Sequence, residues 1–169
     1  MNFLKKIMIM LSKIILRARS CCKLIFYKVL YGKDFNVKLK TIIYPGTHFV
    51  LEPTGKVTIK KGVFINRNCS INSHEMIEIG SNTIIGENVC IYDHNHKYSD
   101  RETIIKKQGY ITSPVTIGDN CWIGSNVTIL KGVTIGNNCV VGANTLISKS
   151  IPNNTIVYNE AKLREKEIM

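Results

Sequence analysis

Apolar residues recur every six positions through the second half of the chain. Isoleucine or valine occupies each site of this register, with a shorter run of the same kind earlier in the chain: Ile117, Ile123, Ile129, Ile135, Val141 and Ile147, preceded by Ile79, Ile85 and Ile91. Positions six apart rotate by about 600° along an α-helix and scatter around its axis. The period therefore predicts short extended segments.

The residues between these apolar sites are typical of turns. Gly follows the apolar residue in most units and Asn stands two residues later, as in Ile117-Gly-Asp-Asn. Both residue types tolerate positive φ, so we expect them at turns of that kind. One coil of such segments cannot bury its own apolar face, which predicts an all-β solenoid of stacked coils. A β-sandwich is disfavoured because its strands recur at roughly 8–12 residues.

The front of the chain follows a helical period and carries most of the charge. Apolar residues at three- and four-residue spacing predict an amphipathic helix over residues 3–30. Residues 1–40 hold ten Lys and Arg and one acidic residue, a net charge of +9, whereas 41–169 hold 13 and 11, a net charge of +2. Such a helix suits the surface of a membrane or a cap on the first coil. Nucleic acid is not expected as a partner, because no recognition motif accompanies the charge.

The six cysteines have neither disulfide-framework nor metal-ligand spacing. Free thiols of this kind indicate a reducing compartment, and we expect no bound metal. The apolar stretch 7–12 is shorter than the roughly 7–15-residue core of a secretory signal, and Lys13 ends it. The sequence therefore predicts a cytoplasmic protein, peripheral at the inner face of the membrane if residues 1–30 bind lipid.

One long segment interrupts the repeat. Residues 92–116 separate two regular runs and contain Asp93, His94 and His96. Long excursions from a compact solenoid are commonly functional. A His beside a carboxylate suits the removal of a hydroxyl proton, since imidazole titrates near neutrality. We therefore assign these three residues to a candidate catalytic cluster.

The repeat strings resemble those of the hexapeptide-repeat acyltransferases, and they include Ile117-Gly-Asp-Asn-Cys-Trp, Ile123-Gly-Ser-Asn-Val-Thr and Val141-Gly-Ala-Asn-Thr-Leu. The resemblance covers roughly residues 41–157 and implies a left-handed parallel β-helix, with 1–40 as a basic helical segment and 158–169 as a C-terminal tail. It further implies a homotrimer that binds acetyl-CoA in a groove between subunits.

The sugar O-acetyltransferases of this family, such as the maltose and galactoside enzymes, suggest roles for individual residues. The resemblance places the general base at His96, with His94 expected to point the other way and to line the acceptor site or orient its partner. It places Trp122 at the wall of the active site and Asn66 against the acceptor hydroxyl. The residues implied for acetyl-CoA are small apart from one cation, and they are Gly124, Ser125, Gly142, Ala143, Ser148 and Lys149.

The resemblance thus implies transfer of an acetyl group from acetyl-CoA to a sugar hydroxyl, in capsule or surface polysaccharide biosynthesis, through a ternary complex. Two alternatives are N-acetylation of an amino sugar and a non-catalytic trimeric scaffold. A third is a γ-type carbonic anhydrase, which shares the solenoid and binds zinc through three His. We disfavour it because His94 and His96, two residues apart, are expected to face opposite sides.

Overall fold

The computed structural model describes residues 3–38, 40–160 and 166. It begins with the α-helix α1 (Phe3–Tyr31), followed by a 3-10 turn (Gly32–Asp34), and a second 3-10 turn (Ile105–Lys107) lies within the long interruption of the repeat. The strands are β1 (Phe35–Val37), β2 (Ile42–Ile43), β3 (His48–Leu51), β4 (Val57–Ile59), β5 (Phe64–Ile65), β6 (Ser70–Ser73), β7 (Ile77–Ile79), β8 (Ile84–Ile85), β9 (Cys90–Tyr92), β10 (His94–His96), β11 (Tyr110–Thr112), β12 (Val115–Ile117), β13 (Trp122–Ile123), β14 (Thr128–Ile129), β15 (Thr134–Ile135), β16 (Val140–Val141), β17 (Leu146–Ile147) and β18 (Ile156–Val157).

Sixteen of these strands form three parallel sheets along the solenoid, and β10 and β11 form a separate antiparallel pair. Sheet A has the order β1-β4-β7-β12-β15, sheet B the order β2-β5-β8-β13-β16-β18, and sheet C the order β3-β6-β9-β14-β17. Each coil contributes one strand to each sheet, and each strand pairs with its counterparts in the neighbouring coils. The molecule is therefore a parallel β-solenoid of about five turns with one N-terminal helix, which confirms the predicted fold class.

The inward positions of the six-residue register form the core. Eleven of them are no more than 1% exposed, and Ile147 is 4% exposed; the eleven are Ile59, Ile65, Ile71, Ile79, Ile85, Ile91, Ile117, Ile123, Ile129, Ile135 and Val141. Burial of one such side chain contributes about 1.5–3 kcal/mol. The spacing produces the solenoid because every coil brings the same apolar positions to the same place.

Asparagine and glycine have different roles at the corners of the coils. Asn takes the positive φ in most units, at Asn120 (54°), Asn126 (59°) and Asn138 (56°) among others, and its side chain bonds to the Asn of the next coil, as from Asn126 to Asn144 (2.9 Å). Gly132 (76°) takes the same turn position in the unit that begins at Ile129. The Gly that directly follows the inward residue does not have positive φ, and a Cβ on Gly118 would lie 2.6 Å from a backbone carbon of the next coil. The expectation of positive φ was thus right for Asn and wrong for the Gly after the inward residue, which instead permits close stacking of coils.

The C-terminal half of α1 covers the first coil. Its buried residues are Ser20, Leu24 and Tyr27, and the Tyr27 ring packs against Phe35 (5.5 Å between centroids) and Phe49 (5.1 Å). Phe35 opens β1, so the solenoid begins within the predicted helical segment 1–40, because the inward positions of β1 are already apolar. In the described residues no helix is long and apolar enough to cross a bilayer.

Replacement of Gly118 by Ala tests the stacking constraint. The new Cβ would lie 2.5 Å from Asn137 Oδ1 and 2.6 Å from Gly136 C, so the coils must separate. We expect a loss of about 1–3 kcal/mol in the free energy of unfolding. For a chain of this length, each kcal/mol lowers Tm by about 2–4 °C.

Lys60 provides the matched control, since it occupies the equivalent position after β4 and already carries a Cβ. Its N–H donates to Ile79 O as that of Gly118 donates to Ile135 O. Lys60→Ala should change stability by less than about 0.5 kcal/mol. Equal Tm values for Gly118→Ala and the parent protein in thermal denaturation would contradict the role given to the glycines.

Candidate active site

The long interruption of the repeat folds into a β-hairpin. Strands β10 and β11 pair antiparallel, with His94 opposite Thr112 and His96 opposite Tyr110. The hairpin leaves the solenoid after β9 and returns before β12, and the N–H of Ser113 donates to Asp93 O (2.8 Å) at its base. We call this place, formed by residues 73–75, 93–96 and 110, the histidine corner.

Asp93 anchors the histidine corner and is fully buried. Its carboxylate accepts hydrogen bonds from Ser73 Oγ and from the N–H groups of His74 and Glu75, each at 2.8 Å, and from His94 Nδ1 at 3.2 Å. Burial by itself raises the pKa of Asp93, but these hydrogen bonds outweigh it, so the pKa lies below its ordinary value. Asp93 is therefore an ionised acceptor that fixes both the coil beneath it and the His94 ring.

Three rings pack together above Asp93. The His74 and His94 rings stack with centroids 3.6 Å apart, and the Tyr110 ring lies 4.2 Å from His74 and 5.4 Å from His94. Burial lowers the pKa of His74, and the neighbouring His94 lowers it further. This keeps the His74 ring neutral, so it can stack without charge repulsion. The His94 side chain is 14% exposed.

His96 is exposed, and its ring lies 4.6 Å from that of Tyr110. The rings of His94 and His96 thus both lie beside Tyr110. The expectation that they face opposite sides was wrong, since residues two apart on a strand share a face. Among the residues described, no group of three His, Cys, Asp or Glu is placed to hold a metal ion.

Sequence reasoning missed His74 and Tyr110. His74 lies in a smaller irregularity of the repeat, between β6 and β7, and that break in register was the available signal. Tyr110 is brought to the site by the pairing of β10 with β11, and no local sequence pattern predicts that pairing.

A second group of predicted residues lies at another corner, where sheet B gives way to sheet C. Asn66, Gly124 and Gly142 directly follow β5, β13 and β16, so they stack coil upon coil together with Ser125 and Ala143. A Cβ on Gly124 would lie 2.6 Å from Ala143 N. We call this column the small-residue corner.

The small-residue corner has a backbone donor that the corner between sheets A and B lacks. At the corner between sheets A and B, the N–H of Asp119 is already used, because it donates to Asn137 Oδ1 (2.8 Å) in the next coil. By the same register Ser125 lies opposite Ala143, which has no side-chain acceptor. Within the described coils the Ser125 N–H has no hydrogen-bond partner, so it is available to a carbonyl oxygen.

The remaining predicted residues lie apart from both groups. Ser148 and Lys149 are exposed and follow β17, two coils beyond Asp93 on the same side of the solenoid. Trp122 points outward from sheet B, is 57% exposed and pairs with Ile84 and Val140. Within the described residues Trp122 makes no contact with the histidines.

Comparison with known proteins relates this arrangement to a family. Residues 114–149 match the family model described as the hexapeptide repeat of succinyl-transferase. The chain is 33% identical over 145 residues, 80% of its own length and 74% of the relative's, to WbbJ of Escherichia coli, assigned to lipopolysaccharide biosynthesis as an O-acetyl transferase. It is also 37% identical over 78 residues to the acetyltransferase Rv3034c of Mycobacterium tuberculosis. This match covers 46% of the present chain and 26% of Rv3034c.

Solved structures share the solenoid. A hexapeptide-repeat acetyltransferase of Vibrio cholerae in complex with acetyl-CoA is 30% identical, with a TM-score of 0.63 over 75% of this chain and 66% of that one. A galactoside acetyltransferase in complex with coenzyme A is 31% identical, with a TM-score of 0.65 over 74% and 60%. The identity to WbbJ over most of both lengths, together with the stacked coils, shows that the chain belongs to the hexapeptide-repeat acetyltransferase family.

Proposed function

We propose that this protein transfers the acetyl group of acetyl-CoA to a sugar hydroxyl during the biosynthesis of a surface polysaccharide. The observation that carries the proposal is the histidine corner, where a buried carboxylate and stacked rings hold a short histidine-bearing strand at the edge of the solenoid. The family relationship supports the acyl donor, and the likeness to WbbJ supports a glycan acceptor.

His96 is the general base in this proposal. It is exposed and so within reach of an acceptor, whereas His94 is held by Asp93 and stacked on His74. The His96 imidazole takes the hydroxyl proton while the hydroxyl oxygen attacks the thioester carbonyl carbon. The resulting tetrahedral oxyanion collapses, the carbon–sulfur bond breaks, and the coenzyme A thiolate takes the proton back from the imidazolium. The two substrates react in a ternary complex, with no covalent enzyme intermediate.

The small-residue corner suits the acyl donor. In its two adjacent coils at Ser125 and Ala143 the side chains are short, so a thin pantetheine arm can approach the backbone closely there. The unpaired Ser125 N–H supplies a donor to the carbonyl oxygen as negative charge develops there. Lys149, exposed farther along the solenoid, supplies a point charge for a phosphate, and Gly142 and Ser148 complete the surface.

The two corners lie on opposite sides of sheet C, and this separation supports a site that a neighbouring protomer completes. The outward column of sheet B is apolar and exposed, with Ile84 at 49%, Trp122 at 57% and Ile156 at 67%. Burial of such a column between subunits is favourable. We propose a homotrimer in which one protomer's histidine corner meets a neighbour's small-residue corner, with Asn66 and Trp122 against the acceptor. The reaction takes place in the cytoplasm, where acetyl-CoA is available.

Replacement of His96 by Ala tests the base. We expect kcat to fall about 10²- to 10⁴-fold with little change in KM for acetyl-CoA, because the proton no longer has an acceptor. The measurement is thiol release from acetyl-CoA with a panel of glycan acceptors, with mass spectrometry to locate the ester. His94→Ala is the comparison, and its loss should be smaller. Near-full activity of folded His96→Ala, with a severe loss in His94→Ala, would move the base to His94.

Replacement of Ala143 by Leu tests the donor groove. The larger side chain would fill the exposed surface beside the Ser125 N–H, so KM for acetyl-CoA should rise at least about tenfold. Ala143→Ser, which keeps the residue short, should change it less than about twofold. Unchanged steady-state constants in the Leu variant would place the pantetheine arm elsewhere.

Replacement of Asp93 by Asn tests the anchor. A carboxylate that accepts four hydrogen bonds becomes an amide that cannot, so we expect a loss of about 2–4 kcal/mol in the free energy of unfolding at pH 7. Because the pKa of Asp93 is lowered below 3.8 on folding, its contribution is present above about pH 4 and is lost as the pH falls through the folded value. The difference between parent and variant should therefore shrink in acid.

Denaturant unfolding at pH 7 and at about pH 3 provides the measurement. Asp119→Asn is the control, since Asp119 also accepts an N–H, from Ser81, but at an exposed position. Its cost should be below about 1 kcal/mol at pH 7. A constant difference between Asp93→Asn and the parent across this range would show that the carboxylate charge has no part in the anchor.

A further inference from the structure

Helix α1 turns most of its apolar surface away from the solenoid. The residues that contact the first coil, Ser20, Leu24 and Tyr27, lie on one side of the helix. At about 100° per residue, Leu11 and Val29 lie on the opposite side. Val29 is 81% exposed and Leu11 is 44% exposed.

An apolar stripe runs along this outer side for the whole length of the helix. Its members recur at three- and four-residue spacing with one gap between Ala18 and Ile25, and they are Phe3, Leu4, Ile7, Met8, Leu11, Ile14, Ile15, Ala18, Ile25, Phe26 and Val29. All but Ile7 are exposed. A helix of 29 residues is about 43 Å long, so the outer stripe is far more extended than the scattered apolar residues of an ordinary surface.

Cations flank the outer stripe on both sides and no acid accompanies them. The helix contains seven, Lys5, Lys6, Lys13, Arg17, Arg19, Lys23 and Lys28, and it contains no Asp or Glu. By helical geometry Lys5, Arg19 and Lys23 lie along one flank of the stripe and Arg17 and Lys28 along the other, whereas Lys6 and Lys13 lie on the side of Leu24. Arg17 and Lys23 also donate to the backbone oxygens of Lys40 and Thr47 in the first coil, which holds the helix in this orientation.

We infer that α1 binds an anionic membrane surface and lies in its plane, with the outer stripe among the upper acyl chains and the cations at the lipid headgroups. Flanking Lys and Arg side chains are long enough to reach a phosphate while their helix lies about 5–10 Å deep. The described helix does not meet the requirements for crossing a bilayer, which agrees with an orientation in the plane.

Charge decides between a membrane and a second copy of the helix as the occupant of the stripe. Two copies packed along their stripes would bring the flanking cations of both helices together with no acidic side chain of α1 to pair them. Anionic lipids provide the missing negative charge at the flanks and an apolar phase at the stripe. One face of α1 then caps the solenoid, and the opposite face binds the membrane.

Sedimentation of the full chain with lipid vesicles tests the inference. We expect binding to vesicles of phosphatidylcholine with phosphatidylglycerol, at least tenfold weaker binding to phosphatidylcholine alone, and loss of binding as salt is raised. The variant Leu11→Gln/Ile14→Gln/Ile25→Gln should bind the anionic vesicles at least tenfold more weakly. Circular dichroism and Tm confirm that it is folded.

Equally exposed apolar residues of the hairpin provide the matched control. Ile104→Gln/Ile105→Gln/Ile111→Gln removes side chains that are 69%, 54% and 45% exposed and should leave vesicle binding within twofold of the parent. Absence of binding by the parent, equal binding to both lipid mixtures, or unchanged binding by the stripe variant would overturn the inference. So would a stripe variant that alters the oligomeric state in light scattering but not vesicle binding. None of these outcomes depends on acetyl transfer.

Discussion

Every coil of this protein must lie directly on the backbone of the next. At the Gly positions no side chain fits between coils, with a Cβ at Gly118 2.6 Å and one at Gly124 2.6 Å from the neighbouring backbone. Contact this close allows each strand to pair with the strand above and below, and it draws the isoleucines into one continuous core. Function is then confined to what protrudes from the stack, since the interior is already filled.

The two candidate corners are the places where this regularity changes. At the histidine corner the chain leaves the stack, and a buried carboxylate, Asp93, binds the departing hairpin to the coil beneath it. At the small-residue corner the chain stays in the stack, but Ala143 replaces the side-chain acceptor that Asn137 provides elsewhere. One corner presents two imidazole side chains and the other an N–H without a hydrogen-bond partner in the described coils, and the proposed acyl transfer uses a group from each.

The six-residue period predicted the solenoid because the inward residue of each unit is the apolar one, and apolar residues can be recognised from the local sequence. It predicted that residues 92–116 carry a histidine cluster, since the break was visible. It could not predict that His74 and Tyr110 join the cluster, because stacking of coils and pairing of hairpin strands bring them there. The helical period of residues 3–30 likewise marked an apolar face but not its direction. The face that caps the solenoid contains Ser20 and Tyr27, and the face that the period marks is the exposed one.

The hairpin leaves the stack from β9, in the third coil, and α1 covers the first. Adjacent strands of a sheet are about 4.8 Å apart, so two steps separate the histidine corner from the capped end by about 10 Å. The number of coils between α1 and the hairpin therefore sets how far the histidine corner stands from any surface that the helix contacts.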